Sequence, residues 1–191
     1  MSYKPDNFTP EQKKKALLNI FFLVLIISIF FIYKSYKSNE KEELLTSNTG
    51  ITICKMVGVS TYKTRINIVE YEVHQKNYTH KNVNGYTFQI GEFFQLKYSK
   101  KEPSIAEVIF TNPIIFEKNE YQETTGKITS LYANSRVHIA KFIYEYEGNK
   151  YERALYTKDF KQLKENYNYK ILVNKKNPKI SYLKSIVKIN S

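Results

Sequence analysis

Among its 191 residues this chain has no tryptophan, one cysteine, two methionines and six glycines. The lone Cys54 allows no intrachain disulfide, and no cysteine cluster is available to hold zinc. The glycines, at positions 50, 58, 85, 91, 126 and 148, form neither a phosphate-cradling loop nor a dinucleotide fingerprint. No Gly-x-Ser-x-Gly elbow is present, and Cys54 has no histidine in a local motif, so the patterns of nucleophilic catalysis are missing. Aspartate is confined to Asp6 and Asp159. Arginine is confined to Arg65, Arg136 and Arg153, so the formal net charge of +12 is almost all lysine. Surfaces that read phosphate favour the planar fork of arginine, which holds two oxygens at once. The charge therefore reads as a solvated, lysine-rich surface and argues against a nucleic-acid partner.

One long run of another kind is present. "ALLNIFFLVLIISIFFIY", from Ala16 to Tyr33, carries no charge and is long enough to cross most of a bilayer core as a helix. Lys13, Lys14 and Lys15 stand before it, Lys34 and Lys37 after it, and Tyr33 and Tyr36 suit the headgroup layer. Thr9, Pro10 and Gln12 predict a capped start with proline at the first helical position. A cleaved signal peptide would have a shorter core and small residues at its end, and "FFIYKSYK" offers neither. The expected organisation is a cytoplasmic tail over residues 1–15, a membrane span over 16–33, a polar linker over 34–48, and β units over 49–117 and 118–191. The basic, short N-terminal flank favours an N-inside signal anchor in a bacterial inner membrane, with the β units outside the cytoplasm.

The remainder says one thing twice. "QLKYSKKEPSIAEV" and "KILVNKKNPKISYL" share a Lys-Lys-x-Pro phrase between alternating apolar residues. Aligning Thr49-Gly50 with Thr125-Gly126, Tyr71 matches Tyr144, Tyr78 matches Tyr151, Pro103 matches Pro178 and Ile105 matches Ile180. The offset stays near about 75 residues, the mark of a duplicated unit. Each copy predicts about five short antiparallel strands in a curled sheet or small barrel. "YEYEGNKYERA" predicts a hairpin with Gly148-Asn149 in the turn, pairing Tyr146 with Tyr151 and Glu147 with Lys150. Phe142, Tyr144, Tyr146, Tyr151 and Leu155 then share one face, and Val69, Tyr71, Val73 and Tyr78 do so in the first copy. Asp159 as cap, with Gln162, Phe160 and Leu163, predicts one or two helical turns in the second copy only. The Lys-Lys-x-Pro phrase becomes the turn of each copy's last hairpin.

The pattern Gly126, Tyr144, Tyr146, Gly148, Tyr151, Val173 and Pro178 resembles a widespread family of small, membrane-tethered bacterial domains of unknown function. Gly50, Tyr71, Val73, Tyr78, Tyr98 and Pro103 follow it less fully, with Gln75 where the glycine belongs. The resemblance implies tethered β domains and brings no catalytic residues.

The remaining candidates for chemistry are few. In the predicted first hairpin Val73 faces Tyr78, Tyr71 faces His80 and His74 faces Asn77, which sets His74 and His80 on opposite faces, away from a shared metal. Cys54 reads as a small core residue. Glu70, Glu72, Glu145 and Glu147 alternate as a solvated strand face. No cofactor, metal or small-molecule substrate is indicated. The expectation is a non-enzymatic, membrane-anchored module of a bacterial envelope that binds another envelope protein. The alternative is binding of anionic headgroups or polymer through Lys100, Lys101, Lys175 and Lys176.

Overall fold

The computed structural model describes residues 9–61, 63–83, 88–134 and 137–189. Helix α1 runs from Pro10 to Ser47 without a break. Its start is the expected capping box: the Gln12 amide donates to Thr9 Oγ1 at 3.3 Å, and the Thr9 amide to Gln12 Oε1 at 2.9 Å. The helix is long and apolar enough to cross a membrane, and its apolar window is bare of packing. The stretch expected as a polar linker continues the helix, because no glycine or proline interrupts it and Lys37 pairs with Glu40 one turn on at 3.0 Å. Residues 34–47 thus extend about 21 Å beyond Tyr33. Leu45 is the buried residue of α1, seated against the first β unit.

Unit 1 contains β1 (Thr49–Ser60), β2 (Ile66–Val73), β3 (Lys76–Val83), β4 (Phe93–Ser99) and β5 (Ala106–Ile115). Unit 2 contains β6 (Tyr121–Ala133), β7 (His138–Tyr146), β8 (Asn149–Tyr156), β9 (Asn168–Asn174) and β10 (Ser181–Leu183). The sheets are ordered β5-β4-β1-β2-β3 and β10-β9-β6-β7-β8, the same order in the same antiparallel sense. A bulge interrupts β1 between Met56 and Gly58 and β6 between Ile128 and Ser130. A short C-terminal strand, β11 (Lys188–Ile189), leaves unit 2 and pairs in parallel with Ile114 and Ile115 on β5. The protein is therefore mainly β, with two five-stranded antiparallel sheets, one of which borrows a sixth strand.

The structure corrects the alignment of the copies at their beginning. Cys54 and Gly126 are the counterparts: Cys54 lies between Tyr71 and Phe94, and Gly126 between Tyr144 and Tyr169. Thr52 and Thr124 confirm the registration, each donating its hydroxyl to the carbonyl of the glutamate after the matched tyrosine, Glu72 or Glu145. The Thr-Gly match at Gly50 is four residues out. Gly126 has no room for a side chain, since a Cβ would stand 2.7 Å from Ile171 and 2.8 Å from the Ile143 carbonyl. Unit 1 has the space and fills it with the fully buried Cys54.

The hairpins turn one residue earlier than the sequence rule suggests, with the same two-residue length. The turn residues are Glu147-Gly148, at φ 48° and 74°, and His74-Gln75, at φ 52° and 62°. The pairs are Tyr144↔Tyr151 and Glu145↔Lys150 in unit 2, and Tyr71↔Tyr78 and Val69↔His80 in unit 1. These are shifts of two positions from the expected pairing, and a slip of two keeps every side chain on its face. Phe142, Tyr144, Tyr146 and Leu155 are accordingly buried, as are Val69, Tyr71 and Val73, with Tyr78 and Tyr151 half-buried against them. The predicted helical turn is a single 3-10 turn, Phe160–Gln162. The Asp159 side chain does not cap it; the Asp159 amide donates to Thr157 Oγ1 at 3.1 Å instead.

Candidate functional site

Each Lys-Lys-x-Pro turn closes its unit in the same way. The Ser99 amide donates to the Ile105 carbonyl at 3.0 Å, and the Asn174 amide to Ile180 at 2.9 Å. The hydroxyl of Tyr71 donates to the Pro103 carbonyl at 2.6 Å, and that of Tyr144 to the Pro178 carbonyl. This bond to a backbone carbonyl pins the turn to the tyrosine of the second strand. The amides of Lys100 and Lys175 donate to the residue before each unit's first strand, Asn48 at 3.0 Å and Glu120 at 2.9 Å.

The four candidate lysines serve two different junctions. Lys175 Nζ donates to the Asn119 carbonyl at 2.7 Å, and Lys176 pairs with Glu120, whose carboxylate raises the Lys176 pKa. Both contacts grip the 3-10 turn Lys118–Glu120 that joins the units. Lys101 lies instead beside Tyr36, Glu40, Glu43 and Ser47 of α1. All four lysines are exposed.

A group the sequence reading missed joins the two units. Glu92, at the start of β4, is 1 % exposed and pairs with Arg153 of β8, which is 6 % exposed. Tyr182 donates to the same carboxylate oxygen at 2.7 Å, the Gln89 amide donates to the other, and the guanidinium lies 5.2 Å from the Tyr182 ring centre. Arg153 also donates to the Lys179 carbonyl. Burial works against the charge on Arg153, but Glu92 outweighs it and its pKa is raised; burial and then Glu92 push the Tyr182 hydroxyl well above its ordinary value. One sequence signal pointed here: Arg153, one of three arginines, sits between Tyr151 and Leu155 on the inward alternation. Around the clasp, Phe88, Phe94 and Phe110 of unit 1 pack with Tyr156 of unit 2, the Phe88 and Phe110 rings stacking at 4.2 Å.

The counterparts of Arg153 and Tyr182 in unit 1 are His80 and Glu107, and they line a polar cleft of about 530 Å³ with Lys41, Glu42, Leu45 and Thr46 of α1. Each unit thus receives the preceding element at the same place: unit 1 receives α1, and unit 2 receives unit 1. Burial, with Lys41 nearby, lowers the His80 pKa. His74 lies in the turn rather than in the ladder, and His138 stacks on Phe160 at 4.9 Å. Among the described residues, no three His, Cys, Asp or Glu side chains come together as metal ligands. Cys54 is enclosed, and burial pushes its thiol up to about 12. A second groove, of about 450 Å³, runs beside β8 and is lined by Lys127, Ile143, Tyr144, Lys150, Tyr151 and Glu152, among others.

Comparison with protein-family models, with curated proteins and with solved structures finds no match.

Proposed function

We propose that this protein is a non-enzymatic interaction module anchored in a bacterial inner membrane, its N-terminus in the cytoplasm and its β units outside. It would bind an envelope protein by accepting a strand at an exposed sheet edge. The observation that carries this reading is the unbroken path from the apolar span through residues 34–47 into unit 1, which mounts two interlocked sheets on a stiff stalk. The clasp at Glu92 supports it further, because the buried pair of charged groups, Glu92 and Arg153, is spent on joining the units. Lysine-mediated binding of anionic headgroups or polymer is the second reading. It rests mainly on Lys100 and Lys101, since Lys175 and Lys176 hold the linker.

Photocrosslinkers placed on the exposed strands, in native membranes, are expected to capture one protein repeatedly. Adducts to lipid alone would sink the module reading. Protease added to intact spheroplasts should cut the β units, and their protection would reverse the proposed orientation.

A further inference from the structure

We infer that the partner of the β8 edge is a second copy of this chain, paired antiparallel with it about a two-fold axis at Tyr151. This deepens the module reading and rests on it. β8 is the last strand of its sheet, with β7 on one side. The two-residue turn Glu147-Gly148, with both φ positive, makes Tyr146↔Asn149 a hydrogen-bonded pair. Alternation then makes Tyr144↔Tyr151 and Phe142↔Arg153 hydrogen-bonded as well. The amides and carbonyls of Lys150 and Glu152 consequently point away from β7, and no backbone group of the described residues takes them up. Both residues are exposed, and the Glu152 carboxylate, paired with Lys141 of β7 at 2.9 Å, keeps more than half of its side chain open to a second cation.

A strand paired with its own copy must choose a centre. Centred on Lys150 or on Glu152, it sets like charges directly opposite each other. Centred on Tyr151, it sets Lys150 opposite Glu152 of the second copy, and Glu152 opposite that copy's Lys150. These are the residues whose backbones point outward, so each pair can exchange both of its hydrogen bonds, with opposite charges on one face. The Tyr151 residues meet as the non-hydrogen-bonded pair between them. Backbone parity and charge therefore select the same register.

Unit 1 shows that this is not a property of the fold. The counterparts of Lys150 and Glu152 on β3 are the uncharged Asn77 and Thr79, and the far half of β3 lies against α1. Only unit 2 carries both an open edge and self-complementary charges. The contact is short, but copies confined to one bilayer meet at high effective concentration, so a short contact suffices.

Full-length protein carrying Tyr151→Cys, in phospholipid nanodiscs holding two copies and in native membranes, is expected to form a disulfide-linked dimer on mild oxidation. The native Cys54 is enclosed and adds no background. Lys150→Glu should cut dimer formation tenfold or more, and Lys150→Glu combined with Glu152→Lys should restore it. Should Tyr151→Cys fail to fold, the charge reversal and its rescue are read by mass photometry on the otherwise native chain. Absence of the dimer, or a dimer indifferent to Lys150→Glu, overturns the inference. Monomers accompanied by a single foreign protein adduct in native membranes would overturn self-pairing yet leave the module reading standing, which falls only if no protein adduct forms.

Discussion

Unit 1 and unit 2 are built alike and are used differently. They share strand order, bulge position, the threonine bond to the second strand and the tyrosine bond to the proline carbonyl. They differ where each meets something else. The position of the buried Glu92 in unit 1 is held in unit 2 by Tyr167, which is 59 % exposed. The position of Arg153 in unit 2 is held in unit 1 by His80, half-buried under α1. A duplicated fold keeps the contacts that close each copy and changes those that face a neighbour. Here the neighbours form a series, from helix to unit 1 to unit 2.

The largest test of that series is the clasp. Glu92→Ala leaves the Arg153 guanidinium buried without its counter-charge, and Arg153→Met leaves the carboxylate likewise, so each should destabilise by about 3–5 kcal/mol. The double substitution Glu92→Leu with Arg153→Met should recover most of the loss, because well-packed apolar residues replace a buried ion pair at little cost. Urea unfolding of the full chain in micelles measures all three. If the units were independent, each single change would lower only its own unit and split the transition in two. A single shifted transition is expected, since β11 and the clasp tie the sheets together.

Much of this was legible in the sequence and some was not, for identifiable reasons. The long apolar helix, its capping box, the duplication and the inward faces depend on period and composition, which are local. The turn register was missed because the expected Gly148-Asn149 turn puts glycine first, whereas the turn that forms has both φ positive, with Glu147 first and Gly148 second. The alignment slipped at Gly50 because a chance Thr-Gly match outweighed Cys54, whose likeness to Gly126 is one of place and not of residue. The clasp joins residues 92 and 153 through tertiary packing, and the only sequence trace of it was one inward-facing arginine. The candidate lysines were found as a motif, but their distinct partners at two junctions depend on the path of the linker.

Cys54 gives unit 1 a reporter that unit 2 lacks. Burial raises its pKa from 9.0 to about 12, so the folded state holds the proton that the unfolded state releases. Its stabilising effect is therefore complete below pH 9 and declines as pH rises from there towards 12, by about 1.4 kcal/mol per pH unit. Cys54→Ala should flatten the loss between pH 9 and 10. Alkylation at pH 8 should be negligible in the native chain and should follow the opening of unit 1. Labelling that precedes global unfolding would show that unit 1 opens alone. The matched tyrosines come next in size. Tyr71→Phe and Tyr144→Phe each remove one donor to a proline carbonyl and should cost about 1–2 kcal/mol. Similar losses are expected, and a marked inequality would mean that the two corners do not close their units equally.

The smallest expected effect probes the one turn in which the copies differ in backbone preference. Unit 2 places Gly148 at the second turn position, at φ 74°, where a glycine is unstrained. Unit 1 places Gln75 there, at φ 62°, after His74 at φ 52°. A side chain in this left-handed region costs about 1–2 kcal/mol per residue, partly offset because glycine loses more freedom on folding. Gln75→Gly should therefore stabilise the chain by about 0.5–1 kcal/mol, and Gly148→Ala should destabilise it by a similar amount. Thermal unfolding of the two variants measures the difference. If Gln75→Gly gives no gain, the unit 1 turn is being held by contacts of His74 or Gln75 with another molecule or with the membrane surface, and the two hairpins differ in use as well as in strain.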